Sequence, residues 1–262
     1  MNRLLLATVA VFGLVGVAPA ADLGPVPVRP IFMPAFNWSG CYLGGYVGGA
    51  WTAETVRATD VSGYNGFPFD AWVYNTSSSI LGGGTAGCNW QGIGSPLVLG
   101  AEGELGYLKM TGSGVDPFDV FSSIQSSVRV GDWYGMVTGR AGYAWDRVML
   151  YVKGGVAFVE VRATVTDPVI NPGFVAQKSE TKATWTLGGG LEWAFANNWS
   201  VKAEYMFIGL DNEMACGSTA GIPSLVAPGQ YCFTHQLDGI HTAKIGVNYL
   251  FGAGALPAIA RY

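Results

Sequence analysis

Residues 243–251 alternate with a period of two. Ala243, Ile245, Val247, Tyr249 and Phe251 share one face of an extended strand, and Lys244 and Asn248 share the other. The same two-faced pattern occurs in earlier segments. Leu97, Leu99, Ala101, Leu105 and Tyr107 oppose Glu102 and Glu104. Trp133, Val137, Ala141, Tyr143 and Trp145 oppose Thr138 and Arg140. Val148, Leu150, Val152, Val156 and Phe158 oppose Lys153. Trp185, Leu187, Leu191 and Trp193 oppose Glu192, and Val201, Ala203, Tyr205 and Phe207 oppose Lys202 and Glu204. Every strand charge in this set falls opposite the apolar face. A sheet so sorted must hide one face from water and the other from hydrocarbon.

Composition decides which face looks where. Half of the 262 residues are hydrophobic and only 12% are charged, against roughly a quarter charged in soluble domains. Beyond the N-terminus no stretch approaches the ~20 apolar residues of a spanning helix. The apolar content is spread over many short segments, together with 39 glycines and 13% aromatics. This predicts a barrel whose apolar face meets lipid and whose charged face lines the interior. A charge on the lipid face costs ~2–4 kcal/mol for Arg or Lys at the midplane, which gives the sorting a physical cause. A soluble lipocalin-type barrel would show the reverse polarity.

The N-terminus reads as a cleaved secretory signal over residues 1–20, with Arg3, an apolar run over 4–17, and Ala18-Pro19-Ala20 at the cleavage positions. Pro25, Pro27, Pro30 and Pro34 predict an extended periplasmic linker over 21–36. The net charge of −4, with no basic block, argues against a nucleic-acid partner.

Eight strands are predicted, at 38–53, 78–91, 97–111, 133–146, 148–165, 182–196, 199–211 and 239–251, with long and short connections alternating. The fold class is all-β: an eight-stranded antiparallel transmembrane β-barrel over 37–251. Short turns face the periplasm in such barrels, and an even strand count puts both barrel ends there. Trp38, Trp51, Trp90, Trp133, Trp145, Trp185, Trp193 and Trp199 fall near strand ends, as interfacial rings should; Trp72 falls in a loop.

The predicted lumen holds Glu102, Glu104, Glu192 and Glu204 with Arg140, Lys153, Lys202 and Lys244. An eight-stranded barrel is just wide enough for side chains to fill it, so these charges must pair. A plugged polar core is expected, with a proton or small-solute conduit as the alternative. Extending the register of the first two strands places Cys41 opposite Cys88. A cross-strand disulfide is plausible there, the alternative being two free thiols. Cys216 and Cys232 lie in the last long loop, where a bridge would close a short loop. No spacing suits a metal or cofactor. His235 and His241 read as surface residues at a loop base, with a barrel hydrolase triad as the weaker alternative. The glycine runs 82–84 and 188–190 lack a following Lys-Ser/Thr and read as strand glycines.

Several motifs carry a resemblance. They are Phe36-Asn37-Trp38-Ser39-Gly40-Cys41-Tyr42-Leu43-Gly44-Gly45; Gly82 to Gly84 followed by Gly87-Cys88-Asn89-Trp90-Gln91; Leu99-Gly100-Ala101-Glu102-Gly103; and the final His241 to Phe251. In this order they resemble the eight-stranded outer-membrane immunogenic, porin-like family of alphaproteobacteria, which is similar to the membrane domain of OmpA. The resemblance covers essentially the whole mature chain. It implies envelope integrity, surface exposure and antigenicity, weak porin activity in some members, and no catalytic residues. It also implies that Gly246, Tyr249 and Phe251 form the signal read by the barrel assembly machinery. The expected surroundings are outer-membrane lipid and lipopolysaccharide. One departure stands out: residues 252–262 follow the final aromatic, where the family's signal normally ends the chain. They are expected to form a periplasmic tail, with docking to a protein partner as one use. A role as accessory subunit of a larger membrane complex stays open beside the structural and channel readings.

Overall fold

The computed structural model describes residues 36–251, apart from 65, 67–68, 120–122 and 222–225. The expected signal peptide, the linker up to residue 35 and the tail 252–262 lie outside the described residues. Twelve strands follow in order: β1 (Gly40–Thr52), β2 (Val56–Asp60), β3 (Ala71–Tyr74), β4 (Ser79–Gln91), β5 (Leu97–Val115), β6 (Gln125–Trp145), β7 (Val148–Asp167), β8 (Asn171–Trp193), β9 (Trp199–Gly209), β10 (Glu213–Ser218), β11 (Gln230–Gln236) and β12 (Gly239–Phe251).

Eight of them close a barrel in the order β1-β12-β9-β8-β7-β6-β5-β4. Every pairing is antiparallel, and the ring closes where β1 meets β12, with Cys41 opposite Phe251. Tight connections after β4, β6 and β8 gather at one end, the turn end. The outward face carries a continuous exposed apolar surface that includes Leu43, Val47, Leu105, Val137, Val152, Leu187 and Ile245. Two aromatic belts bound it: Trp51, Tyr107, Trp133, Phe158 and Trp185 away from the turn end, and Trp90, Trp145, Trp193, Trp199 and Tyr249 beside it. Trp133 and Trp145 lie on one strand, so the belts stand about 30 Å apart once strand rise and tilt are allowed for. An exposed apolar band this large and this regular fits hydrocarbon, not water.

The long connections are not loops. β5 and β6 pair continuously out to Val115 and Gln125, and β7 and β8 out to Thr166 and Val175. Stretches expected as connections at 112–132 and 166–181 are therefore strand for most of their length. The other two long connections form a separate four-stranded sheet in the order β10-β11-β2-β3. A Thr76–Gly112 bridge ties its β3 side to β5. On its β10 side, Gly217 lets the strand press on β8: a Cβ there would collide with the Val175 carbonyl oxygen. Each strand of this sheet prolongs a barrel strand in the chain, so the barrel wall continues upward as a cap.

Polarity inverts where the cap begins. Along β7, Val159, Val161, Ala163 and Val165 point inward and are fully buried, while Glu160, Arg162 and Thr164 point outward. Leu108 and Met110 on β5 and Val128 and Val130 on β6 do the same. The rule that charge lies inside and apolar outside thus holds only between the belts. Above them the wall is in water, and the cap folds like a soluble protein around Tyr64, Trp72, Phe174 and Phe233. Trp72, expected in a loop, sits on β3 in this core.

Trp38 also departs from its expected interfacial place. It is fully buried inside the turn end. Its backbone N–H donates to Gln91 Oε1 at 2.8 Å and its indole N–H to the Asp146 carbonyl at 3.0 Å. Phe36 packs edge-on against it at 5.0 Å, and Arg147 lies over the Phe36 ring. With Tyr42, Met149, Ala194 and Leu250 these residues stopper the turn end.

The cap core is the upper part of a buried cluster that runs down to Tyr46 and Tyr134 of the barrel. Phe233 is fully buried against Tyr64, Trp72 and Phe174. Phe233→Ala is expected to cost the cap about 3–5 kcal/mol. Limited proteolysis should then cut within 54–77 and 212–238 while the barrel keeps its SDS-resistant mobility. Unchanged cap resistance would contradict a cap built on this cluster.

Candidate functional site

Between the stopper and the cap core lies a layer of charge. Period-two alternation sends Glu102 and Glu104 of β5, Arg140 of β6, Lys153 of β7, Glu192 of β8, Lys202 and Glu204 of β9, and Lys244 of β12 into the barrel, and all eight are buried. Cross-strand register already sets two opposite-charge pairs side by side, Glu192 with Lys202 and Glu204 with Lys244.

Lys153 is the hub. Its Nζ donates to Glu102 Oε1 at 2.5 Å, Glu204 Oε1 at 2.9 Å and, more loosely, Glu104 Oε2 at 3.5 Å. Lys244 Nζ donates to both oxygens of Glu104 at 2.7 and 2.8 Å and pairs with Glu204 Oε1 at 2.9 Å. Lys202 Nζ reaches both oxygens of Glu102 at 3.2 and 3.1 Å. Arg140 sits nearer the turn end, where Nη1 donates to Glu192 Oε2 at 3.0 Å and Nε to Asn89 Oδ1 at 2.8 Å. Its guanidinium lies over the rings of Tyr42 and Tyr151. Ser200 and Asn248 donate to the other oxygen of Glu192 at 2.5 and 2.8 Å.

The four tyrosines of this layer were not singled out by charge patterning. Tyr42 donates to Glu102 at 2.5 Å, Tyr134 to Glu104 at 2.9 Å and Tyr151 to Glu204 at 2.9 Å, while Tyr46 shares a hydrogen bond with Tyr134 at 2.8 Å. Their sequence signal is phase: Tyr134 shares parity with Arg140, and Tyr151 with Lys153. Gly83 and Gly106 make room for one of them, since a Cβ at either position would strike the Tyr46 hydroxyl.

Oxygens of Glu102, Glu104 and Glu204 lie within 4.8 Å of one another, a donor set that could hold a cation. Lys153 Nζ contacts all three, so a side-chain ammonium holds that position. The side chains of Lys153, Glu102 and Glu204 are 0% exposed.

Cys41 is bridged to Cys88 and Cys216 to Cys232, each pair in register across adjacent strands. On β12, Tyr249 and Phe251 point outward in edge contact at 5.1 Å, and Gly246 faces the lumen beside Lys202. His241 is on the outward face, bonded to the Tyr205 hydroxyl. His235 differs from its expected surface place: it is fully buried in the cap, its Nε2 hydrogen-bonded to Ser126 Oγ at 2.7 Å. Ser126 also bonds the Tyr74 hydroxyl at 3.1 Å, and among the described residues no carboxylate meets His235 Nδ1. The pair lacks the third member of a triad.

Residues 7–251 match the family described as outer membrane protein β-barrel domain. The 31 kDa outer-membrane immunogenic protein of Brucella melitensis biotype 1 is 30% identical over 263 residues, covering 96% of this chain and all of the relative. A 22 kDa outer membrane protein of Rhizobium leguminosarum bv. viciae is 31% identical over 174 residues, 66% of this chain and 65% of the relative. Among solved structures, the outer membrane protein OprG from Pseudomonas aeruginosa aligns with a TM-score of 0.56 at 11% identity, over 82% of this chain and 98% of OprG; it speaks for the fold alone.

Two outcomes follow from the buried groups. Lys153→Met leaves three carboxylates short of a cation and is expected to destabilise the barrel by about 3–5 kcal/mol; urea unfolding in micelles reads this, and a shift near zero would contradict the hub role. In the cap, burial pushes His235 down to about 4. The groups facing it are neutral Ser126 and Tyr74, and Glu213 opposite it in register, whose charge pairs with Lys182 at 2.8 Å. Unfolded, the imidazole regains its ordinary value of about 6.5. The unfolded cap therefore binds the extra proton between those values, so cap stability is full above about pH 6.5 and falls as pH drops toward 4. The cap's urea midpoint should fall between about pH 7.5 and 5, and His235→Gln should remove His235's part of that fall.

Proposed function

The chain belongs to the outer-membrane β-barrel domain family, and from that premise we propose that it serves the envelope as a closed structural barrel displaying a rigid cap at the cell surface. It is an outer-membrane protein related to immunogenic outer-membrane proteins. The observation that carries the closed reading is the filled interior: an apolar stopper, a paired charge layer and a cap core lie one above another. A conduit needs either a continuous gap or charges free to exchange ions, and the mutual pairing of the buried charges supports the closed reading.

In this reading the turn end faces the periplasm and the cap faces outward, following the rule for short and long connections. Both barrel ends, with residues 252–262 beyond, then belong to the periplasmic side. The protein works by its presence and shape and catalyses no reaction. Its encounter with the barrel assembly machinery runs through Gly246, Tyr249 and Phe251, and a periplasmic protein could meet 252–262. Lipid and lipopolysaccharide surround the belts.

Planar-bilayer recording tests the closed reading. Folded protein is expected to give no steady conductance above the bare bilayer. Discrete, reproducible steps from the disulfide-intact protein would sink the structural reading in favour of a small diffusion channel.

A further inference from the structure

Just above the cap-side aromatic belt, two arginines face each other. Arg129 of β6 and Arg162 of β7 are direct partners in the antiparallel ladder, and both project from the outward face. Like charges directly opposite destabilise a sheet, so this pairing calls for anionic company. Some is supplied within the chain: Arg129 pairs with Asp132, and Arg162 with Glu160 at 3.2 Å. Lys109 of β5, exposed on the same face and diagonal to Arg129, brings the tally to three cations against two carboxylates.

The two guanidiniums border a cleft of about 530 Å³ that is otherwise lined by Asn75, Thr111, Ser113, Ser127 and Thr164 among its polar residues, with no carboxylate. Hydroxyl and amide donors between two guanidiniums suit a tetrahedral oxyanion. Depth narrows the choice. Tyr107 pairs with Trp133 in the belt, and Thr111 pairs with Arg129 in the same ladder. Four residues of tilted strand put the arginines about 10 Å beyond the belt, at the level of lipid headgroups. Directly below, Leu105, Trp133 and Phe158 are exposed and apolar. A ligand with a phosphate above and acyl chains below can use both surfaces, whereas free phosphate can use only the cleft.

We propose that this cleft binds the phosphate of a phosphorylated lipid headgroup in the leaflet on the cap side of the membrane. The assignment rests on the membrane placement given above, with the belts at the two interfaces.

The test uses the disulfide-intact barrel in phosphatidylcholine nanodiscs, titrated with bisphosphorylated lipid A, with lipid A stripped of phosphate, and with inorganic phosphate. Bisphosphorylated lipid A is expected to bind at least about tenfold more tightly than the stripped form, and Arg129→Gln/Arg162→Gln to lose at least about tenfold for the phosphorylated form alone. Lys178→Gln, which breaks an exposed ion pair with Glu180 away from the cleft, should bind as wild type. If the double variant fails to fold, judged by heat-modifiable mobility, Arg162→Gln alone takes its place with a smaller loss of the same selectivity. Wild-type affinity in the arginine variants, or equal binding of stripped lipid A, overturns the site. Inorganic phosphate that competes at equal concentration overturns the lipid assignment. Nanodisc binding does not depend on which side the cap faces in the cell; thiol labelling of Ser113→Cys on intact cells tests that separately, so the two failures can be told apart.

Discussion

The Lys153 ammonium holds this barrel together from the inside. It touches carboxylates from β5 and β9, and those carboxylates reach cations on β9 and β12 and tyrosines on β1, β6 and β7. Charges without solvent tolerate little misplacement, because each unpaired one costs far more than a pair contributes. The lattice therefore demands one register in every ladder. A one-residue slip in β5, β6, β7, β8, β9 or β12 would expel a charge into lipid and pull an apolar side chain into the lattice. Lateral hydrogen bonds close the ring; the lattice selects which ring is closed.

The cap follows from the same wall meeting a different solvent. Between the belts, lipid outside requires apolar outward residues and leaves polar ones to pair within. Beyond the cap-side belt, water outside reverses the requirement, and buried inward positions of β5 to β7 become Val, Leu, Met and Ala. One continuous strand thus carries two opposite hydrophobic patterns, with the change-over near Tyr107, Trp133 and Phe158. The membrane boundary can be read along these three strands as the point where the alternation changes phase.

That change of phase explains what the sequence disclosed and what it withheld. The barrel strands, the eight lumen charges and the Cys41–Cys88 register were legible because alternation around Leu99, Val152 and Ile245 is uninterrupted. The upper parts of β6 and β8 read as loop because a pattern test tuned to apolar-outward strands fails at Ser127, Arg129, Ser179 and Thr181, where the outward residue is polar. Trp38 and Trp72 misled for another reason. A tryptophan near a strand end is read as interfacial, and nothing local separates a ring that plugs a mouth or fills a cap from one that faces lipid. The lumen tyrosines shared a parity with the charges but were hidden among the other aromatics of the chain. His235 gave no sign of burial, since the strands that cover it, β2 and β10, are distant or short.

The stopper at the turn end carries a consequence for order in time. Trp38 is tied to the Asp146 carbonyl, 108 residues away in sequence, and shares its cluster with Ala194 and Leu250. Leu250 joins that cluster only once the last strand has paired with the first. The stopper is therefore complete only when the ring is closed. Contacts of such long range form slowly and late. The segment before the first strand and the end of the last strand thus close the same mouth, and neither can seal it without the other.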